Sequence, residues 1–343
     1  MRVLHVVHSD AFSGVERHVA VLAGAQVAAG HDVVIIGGEP AAMADAAGQD
    51  AVRLVSGGTL PDVARGLRRY AGHADLVHTH MTVSEVAAVL STGRRAAPVV
   101  STRHFADRRG VGRLGALAPV ARPLLSSGLS AQIAVSRYVA EHIDGPSHVV
   151  YAGVPDQDAP DPASREDVVL LAQRLEPEKR SAVAVKAFAA SGLAASGWRL
   201  DIAGSGSERR ALEQLAASIG LSRQHVHFLD RRPNIQDLMA RAGILIAPRP
   251  DEAYGLSVLE AMACGLPVVA TRAAGHLETL GLLDEPALFP PDDVRAAGIL
   301  LRQLAVDRAA RLRLATAQRE LQRARFTLDA QQRATDEVYR GVL

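Results

Sequence analysis

Short apolar runs alternate along this chain with stretches whose apolar positions recur at helical spacing. In the first half Val3–His8, Val33–Gly37, Val52–Val55, Leu76–His80, Val99–Thr102, Ile133–Ser136 and Val149–Tyr151 read as strands. Val15–Ala29, Pro61–Tyr70, Ser84–Leu90 and Arg137–His142 read as helices between them. This rhythm predicts right-handed βαβ units and a parallel sheet covered on both faces. Residues 154–166 then turn polar and proline-rich, the composition of a hinge. The rhythm restarts with a strand at Val168–Ala172, a helix from Lys179, a strand at Arg199–Ala203, a helix from Glu208, a strand at Val226–Leu229 and a helix over Ile235–Arg241. Residues 292–324 read as helical, and Thr327–Leu343 as a last helix approached through Phe326. The expected fold is α/β, with two Rossmann-like doubly wound domains facing across a cleft between the carboxyl ends of their sheets.

Composition narrows the class. At 343 residues the chain is too long for one ordinary core, so two domains of roughly 150 to 180 residues are expected. Hydrophobic residues make up 48% and aromatics 3%, which suits Ala/Val/Leu-rich α/β layers. A formal charge of +1 gives no basis for binding nucleic acid by bulk electrostatics. The single cysteine, Cys264, excludes an internal disulfide and a cysteine-built zinc site. The start is too punctuated for a signal peptide and no apolar run reaches membrane-spanning length, so a cytoplasmic protein is expected.

The densest chemistry lies at Glu252-Ala253-Tyr254-Gly255-Leu256-Ser257-Val258-Leu259-Glu260. An apolar strand, Ala242–Ala247, precedes it, and Pro248 and Pro250 end regular structure there. Gly255 reads as the start of a helix, Gly265 as its stop, and Val268–Thr271 as the next buried strand. A helix N-terminus binds anions through its unpaired N–H groups and its dipole. Glu252 before it and Glu260 within it can accept hydrogen bonds from hydroxyls. A ligand carrying phosphate and polyol, such as a nucleotide-sugar, fits that combination.

With these residues the chain resembles family 4 of the glycosyltransferases, retaining enzymes of two-domain GT-B architecture. The signature is E-x7-E, Glu252 and Glu260. It is supported by Ala172-Gln173-Arg174-Leu175 with Lys179 after it, Ile202-Ala203-Gly204-Ser205-Gly206-Ser207-Glu208-Arg209, Val226-His227-Phe228-Leu229 and Ser13-Gly14-Val15-Glu16-Arg17-His18. Two places depart from the family pattern: Ser13-Gly14 stands where two glycines are usual, and Ala152-Gly153 where Asn-Gly is. The resemblance implies an acceptor-side domain over 1–155, a donor-side domain over 156–325, and a C-terminal helix, 326–343, crossing back to the first. It implies a hexosyl or glycosyl transferase moving a sugar from a nucleotide-sugar to an acceptor hydroxyl with retention. No metal and no cofactor beyond the donor are expected, and a UDP- or GDP-sugar is expected first. The acceptor, whether a sugar, a lipid-linked or a small molecule, is not specified.

The same resemblance assigns roles. Arg174, as a fork, and Lys179, as a point charge, would hold the diphosphate. A solvated basic loop is the plain alternative. Glu260 would bind ribose hydroxyls and Glu252 those of the transferred sugar. Backbone N–H groups of Tyr254, Gly255 and Leu256 would face phosphate or sugar oxygens. Gly14 would approach the diphosphate from the opposite side on domain closure, although a plain turn glycine reads the same. Glu16 reads equally as a first-turn helix glutamate. His104 would contact the sugar or relay the acceptor's proton. The catalytic set is then His104, Arg174, Lys179 and Glu252.

Other features carry less. His78 and His80 alternate on one strand and share a face, but no third metal ligand is identifiable. Asp156-Gln157-Asp158 formally matches an Asp-x-Asp metal motif, yet sits in the hinge and reads as solvated charge. Arg103, Arg108, Arg109, Arg113 and Arg122 border apolar residues and read as helix-surface arginines or as a peripheral membrane patch. Rival readings of the whole are a sugar-nucleotide epimerase on the same architecture and a catalytically silent sugar-nucleotide binder. An NAD-dependent oxidoreductase is disfavoured because no full G-x-G-x-x-G follows either first strand.

Overall fold

Every residue of Val3–Val7 is buried, as a central strand covered on both faces requires, and this strand (β1, Arg2–Val7) founds the first sheet. The computed structural model describes residues 1–48, 52–91, 97–107, 128–158, 160–230 and 234–343. They divide into two units, Met1–Gly153 with Leu328–Leu343, and Val154–Thr327.

In the first unit β1 is followed by α1 (Gly14–Ala28), β2 (Asp32–Ile36), α2 (Pro40–Ala47), β3 (Arg53–Val55), α3 (Leu60–Tyr70) and β4 (Leu76–His80). Next come α4 (Thr82–Ser91), β5 (Val99–Arg103), β6 (Ala131–Ala134), α5 (Arg137–His142) and β7 (His148–Val149). The seven strands lie in the order β3-β2-β1-β4-β5-β6-β7, and all their pairings are parallel. The order reverses between β1 and β4, whose registers align His5 with His78 and Val7 with His80. Local chemistry sets the helix starts. Thr59 Oγ1 accepts from the Asp62 N–H at 3.3 Å ahead of α3, and Glu39 accepts from Ala41 and Ala42 ahead of α2. Helix α2, absent from the sequence reading, is short and buries only Met43 and Ala47.

The second unit contains β8 (Val168–Ala172), α6 (Ser181–Ser191), β9 (Arg199–Ala203), α7 (Arg209–Ser218), β10 (Val226–Phe228), α8 (Ile235–Arg241) and β11 (Ile244–Ala247). It continues with α9 (Leu256–Ala263), β12 (Val268–Thr271), α10 (Ala274–Thr279), β13 (Leu288–Phe289), α11 (Val294–Val306) and α12 (Arg308–Arg325). Its six parallel strands run β10-β9-β8-β11-β12-β13 and reverse between β8 and β11. The helix expected from Lys179 begins at Ser181, because Pro177–Lys179 forms a tight turn and Arg180 is left-handed at φ 54°. The helical stretch 292–324 is two helices meeting at Asp307, whose carboxylate accepts the Ala310 N–H at 2.8 Å. Phe188 and Phe289 are fully buried in this unit's core. Phe188→Ala should cost about 3–5 kcal/mol of stability, read as a lower urea midpoint at unchanged slope.

The last helix, α13 (Leu328–Arg340), belongs to the first unit. It is tied there by polar contacts: Asp336 Oδ2 lies 2.7 Å from His31 Nε2, and Gln331 Oε1 accepts the Gly153 N–H at 2.8 Å. Arg103, read as a surface residue, is a buried strand residue that donates to the Asp107 carbonyl, so it cannot contribute to a membrane patch. The other arginines of that stretch lie outside the described residues. Asp156 pairs with Arg323 at 2.7 Å, both side chains half-exposed, in keeping with solvated charge in the hinge. No helix among the described residues is long and apolar enough to cross a membrane.

Candidate functional site

Two loops leave adjacent strands at the switch point of the second sheet, where open α/β sheets bind ligands. The loop after β8 carries Arg174 and Lys179, and the loop after β11 carries Arg249 and Glu252. Lys179 Nζ donates to Glu252 Oε2 at 2.9 Å, and both side chains are more than four-fifths buried. Arg249 Nη1 stands 3.6 Å from the same oxygen, while its Nε donates to Asp251 Oδ1 at 3.0 Å. Burial pushes the Glu252 carboxyl up, but the charges of Lys179 and Arg249 outweigh it and hold the group below the usual carboxylate range. Glu252 is therefore an ionised acceptor at neutral pH, and Lys179 keeps further N–H donors for a ligand oxygen.

The backbone around these groups is tightly specified. Gln173 Nε2 donates to the Lys179 carbonyl at 2.8 Å and to Ser181 Oγ at 3.0 Å, fixing the turn that aims the lysine. The loop after β9 presses on that turn. A Cβ at Gly204 would lie 1.8 Å from the Gln173 carbonyl oxygen, and one at Gly206 would lie 2.3 Å from that of Leu175. Gly255 precedes α9 at φ 89°, the left-handed region that favours glycine. Its carbonyl accepts from Val258 and Leu259 at 3.0 and 3.2 Å, so the preceding amides stand outside the helical ladder.

The structure brings Lys179, Glu252, Gly255 and Leu256 to one end of this sheet. The Tyr254 ring is buried and packs edge-on against Phe326 at 6.2 Å. Glu260 lies half-buried on α9. Arg174 is exposed and pairs with Glu178 at 3.0 Å. Gly14 and His104 belong to the first unit. Gly14 is the exposed first residue of α1. Glu16 is in the first turn of α1 and buried, and its carboxylate accepts the Ser13 N–H at 2.9 Å and the Ser13 hydroxyl at 2.5 Å, closing the loop that leads into α1. His104 follows β5 and is half-buried, with Nε2 3.1 Å from His80 Nδ1.

Sequence reasoning missed two participants. Arg249 was overlooked between Pro248 and Pro250, which were read only as strand stops. His276 sits in the first turn of α10, just after β12, buried, with Nδ1 donating to the Thr271 carbonyl at 3.1 Å. A Cβ on Gly255 would touch His276 Cδ2 and Nε2 at 3.4 and 3.5 Å, so that ring edge lines the start of α9. Burial lowers the His276 pKa against the pull of Glu252, leaving a neutral ring with its Nε2 lone pair toward Gly255. The available signal was Ala273-Ala274-Gly275-His276, a glycine-bearing segment just after a buried strand. Gly275 donates its N–H to the Glu252 carbonyl at 3.0 Å, and a Cβ there would lie 2.7 Å from Tyr254 Cα and 2.8 Å from the Ala253 carbonyl oxygen. Gly275→Ala should therefore displace the Glu252 loop, costing about 1–3 kcal/mol in thermal unfolding and weakening ligand binding together.

The model of the family described as "Glycosyl transferases group 1" matches residues 156–321, and that of "Glycosyltransferase Family 4" matches residues 12–158. The chain belongs to glycosyltransferase family 4. Among curated relatives, it is 37% identical over 107 residues to a GDP-mannose-dependent alpha-(1-6)-phosphatidylinositol dimannoside mannosyltransferase of Mycobacterium tuberculosis, covering 31% of this chain and 28% of the relative. It is 29% identical over 241 residues to a D-inositol 3-phosphate glycosyltransferase of Mycobacterium avium, covering 60% of this chain and 54% of the relative. These matches thus span about half or less of the curated relatives' own lengths. The crystal structure of Anabaena HepE with UDP and glucose superposes at a TM-score of 0.80, with 20% identity, over 99% of this chain and all of that one. The family-4 chain accordingly has the GT-B fold, built from two doubly wound α/β units.

Proposed function

We propose that this chain transfers a sugar from a nucleotide-sugar to an acceptor hydroxyl, with retention of configuration and without a metal. The reading rests on one arrangement: Lys179, Arg249 and an ionised Glu252 at the switch point of the second sheet, beside the start of α9. Cleaving a sugar–phosphate bond leaves negative charge on the diphosphate, and fixed cations and N–H dipoles are what stabilise such charge. Lys179 and the amides around Gly255 supply them, and Arg174 can swing from Glu178 to add a fork. Glu252, an acceptor rather than an acid, orients the sugar's hydroxyls, and Glu260 takes those of the ribose. Retention rests on the family.

A UDP- or GDP-sugar is the donor class this reading favours. Support comes from the UDP held by the Anabaena structure and from the GDP-mannose in the mycobacterial relative's name. The acceptor is a hydroxyl on a sugar, a lipid-linked or a small molecule.

A thermal-shift panel of UDP-, GDP-, ADP- and TDP-sugars tests the donor, since occupancy at about 100 times Kd adds about 2.7 kcal/mol of stability. The expected result is one nucleotide series that raises the melting point, and turnover that needs an acceptor and survives EDTA. Conversion of the donor alone to an epimer would point to the rival activity. Loss of turnover on chelation, restored by Mg2+ or Mn2+, would remove metal independence.

A further inference from the structure

The first unit buries a second chemical cluster, five histidines from four segments, around its own switch point. His5 lies on β1, His18 on α1, His78 and His80 on β4, and His104 just past β5. His5, His78 and His80 are fully buried and His18 nearly so. Burial pushes His5 down to about 4 and His104 to about 3, and His18, His78 and His80 well below the usual imidazole range. Each ring is neutral near pH 7, so each carries one N–H and one lone pair.

That condition fixes the protons along the chain of bonds from Gln26 to His104. The Gln26 amide oxygen only accepts, so His5 Nε2, 2.7 Å away, bears hydrogen. His5 Nδ1 is then a lone pair, and His80 Nε2 donates to it at 3.0 Å. His80 Nδ1 is in turn a lone pair, and His104 Nε2 donates to it at 3.1 Å. The Gln26 amide nitrogen donates to the Tyr339 hydroxyl at 3.2 Å, and His78 is held between that hydroxyl at Nδ1 and Thr102 Oγ1 at Nε2, each at 2.6 Å. Gln331 Oε1 is held by the Gly153 N–H at 2.8 Å, so its amide nitrogen donates to His18 Nε2 at 3.2 Å and leaves His18 in the opposite tautomer.

We infer that Gln26, His5 and His80 are positioning residues that lock His104 as its Nε2–H tautomer, so that Nδ1 presents a fixed lone pair to a ligand hydroxyl. His104 is the member of this chain of bonds that is only half-buried, and it stands at the carboxyl edge of the sheet, where such folds meet ligands. The assignment rests on the proposed transferase reading only for the hydroxyl's source, a sugar or other polyol. Two triads, His5–His78–His80 and His18–His80–His104, bring nitrogens within 4.8 Å of one another, as a metal would need. Each triad contains a ring whose lone pair is already committed: His78 between Tyr339 and Thr102, and His18 to Gln331.

Imidazole 15N NMR on the full chain at neutral pH reads the tautomers directly. The expected spectrum shows His5, His80 and His104 as Nε2–H, His18 as Nδ1–H, and scalar coupling across the His80–His5 and His104–His80 bonds. An Nδ1–H His104, or tautomer mixtures without those couplings, would overturn the assignment whatever the chain catalyses. So would stoichiometric Zn2+ binding that abolishes the couplings. In turnover, His80→Phe should lower kcat about 10- to 100-fold, the cost of a contact misplaced by about 1 Å, with donor KM little changed. His80→Gln, which keeps one donor and one acceptor, should restore most of it. Wild-type kcat in His80→Phe would exclude the positioning role, and Gln26→Leu, which leaves the rings in place, serves if His80→Phe does not fold.

Discussion

Lowering the pH from 7 to 5 should destabilise the first unit. Its five clustered histidines are neutral when folded, with pKa values pushed down by burial, to about 4 for His5 and about 3 for His104. In the unfolded chain each returns to about 6.5. Between those values the unfolded state binds more protons, so stability falls as pH falls, beginning near 6.5 and continuing to the folded pKa. His5 and His104 then each cost about 2 kcal/mol between pH 7 and pH 5. Burial also lowers His18, His78 and His80, so they add to the same loss. The second unit has one buried histidine of this kind, His276, and its Glu252 carboxyl, held below the usual range, stays ionised at pH 5. Urea midpoints at pH 7, 6 and 5, followed by amide exchange in each unit, check this. A first unit as stable at pH 5 as at pH 7 would show that the histidines are not neutral when folded.

The other large effect concerns Lys179. Lys179→Ala should lower kcat/KM by about 10²- to 10³-fold, or about 3–4 kcal/mol of transition-state stabilisation, the usual cost of one charge-stabilising donor. The loss falls on the departing diphosphate, which keeps the Gly255 amides but loses its nearest cation. Stability should change less, because Arg249 already stands 3.6 Å from Glu252 and covers its charge. The double variant Lys179→Met, Glu252→Gln removes both charges from a largely buried pair and should recover any lost melting temperature without recovering turnover. Steady-state kinetics beside thermal unfolding separate the two effects. Unimpaired turnover in either variant would reject the proposed site.

Much of this was legible in the sequence, for identifiable reasons. The central strands stand out because a parallel strand buried on both faces must be almost wholly apolar, as in Val168–Ala172. Glu252, Gly255 and Glu260 are legible because strand, loop and helix follow one another without interruption, so sequence spacing translates into spatial spacing. The reading failed where that link is broken. Arg249 was masked by its flanking prolines, and the short, alanine-rich α2 has too weak a period to declare itself. Arg103 reads as a surface residue by type, yet it is buried at the end of β5 with its guanidinium spent on the Asp107 carbonyl and, at 3.8 Å, Asp144.

By itself the chain determined two doubly wound units and an acid-flanked helix start at the end of one strand, because hydrophobic period and turn chemistry act over a few residues. Only the tertiary structure decided that Lys179 meets Glu252, that His276 lines the start of α9, and that five histidines gather at the other switch point. Those partners lie far apart in sequence, and parallel strand order, not local pattern, brings their side chains within hydrogen-bonding reach.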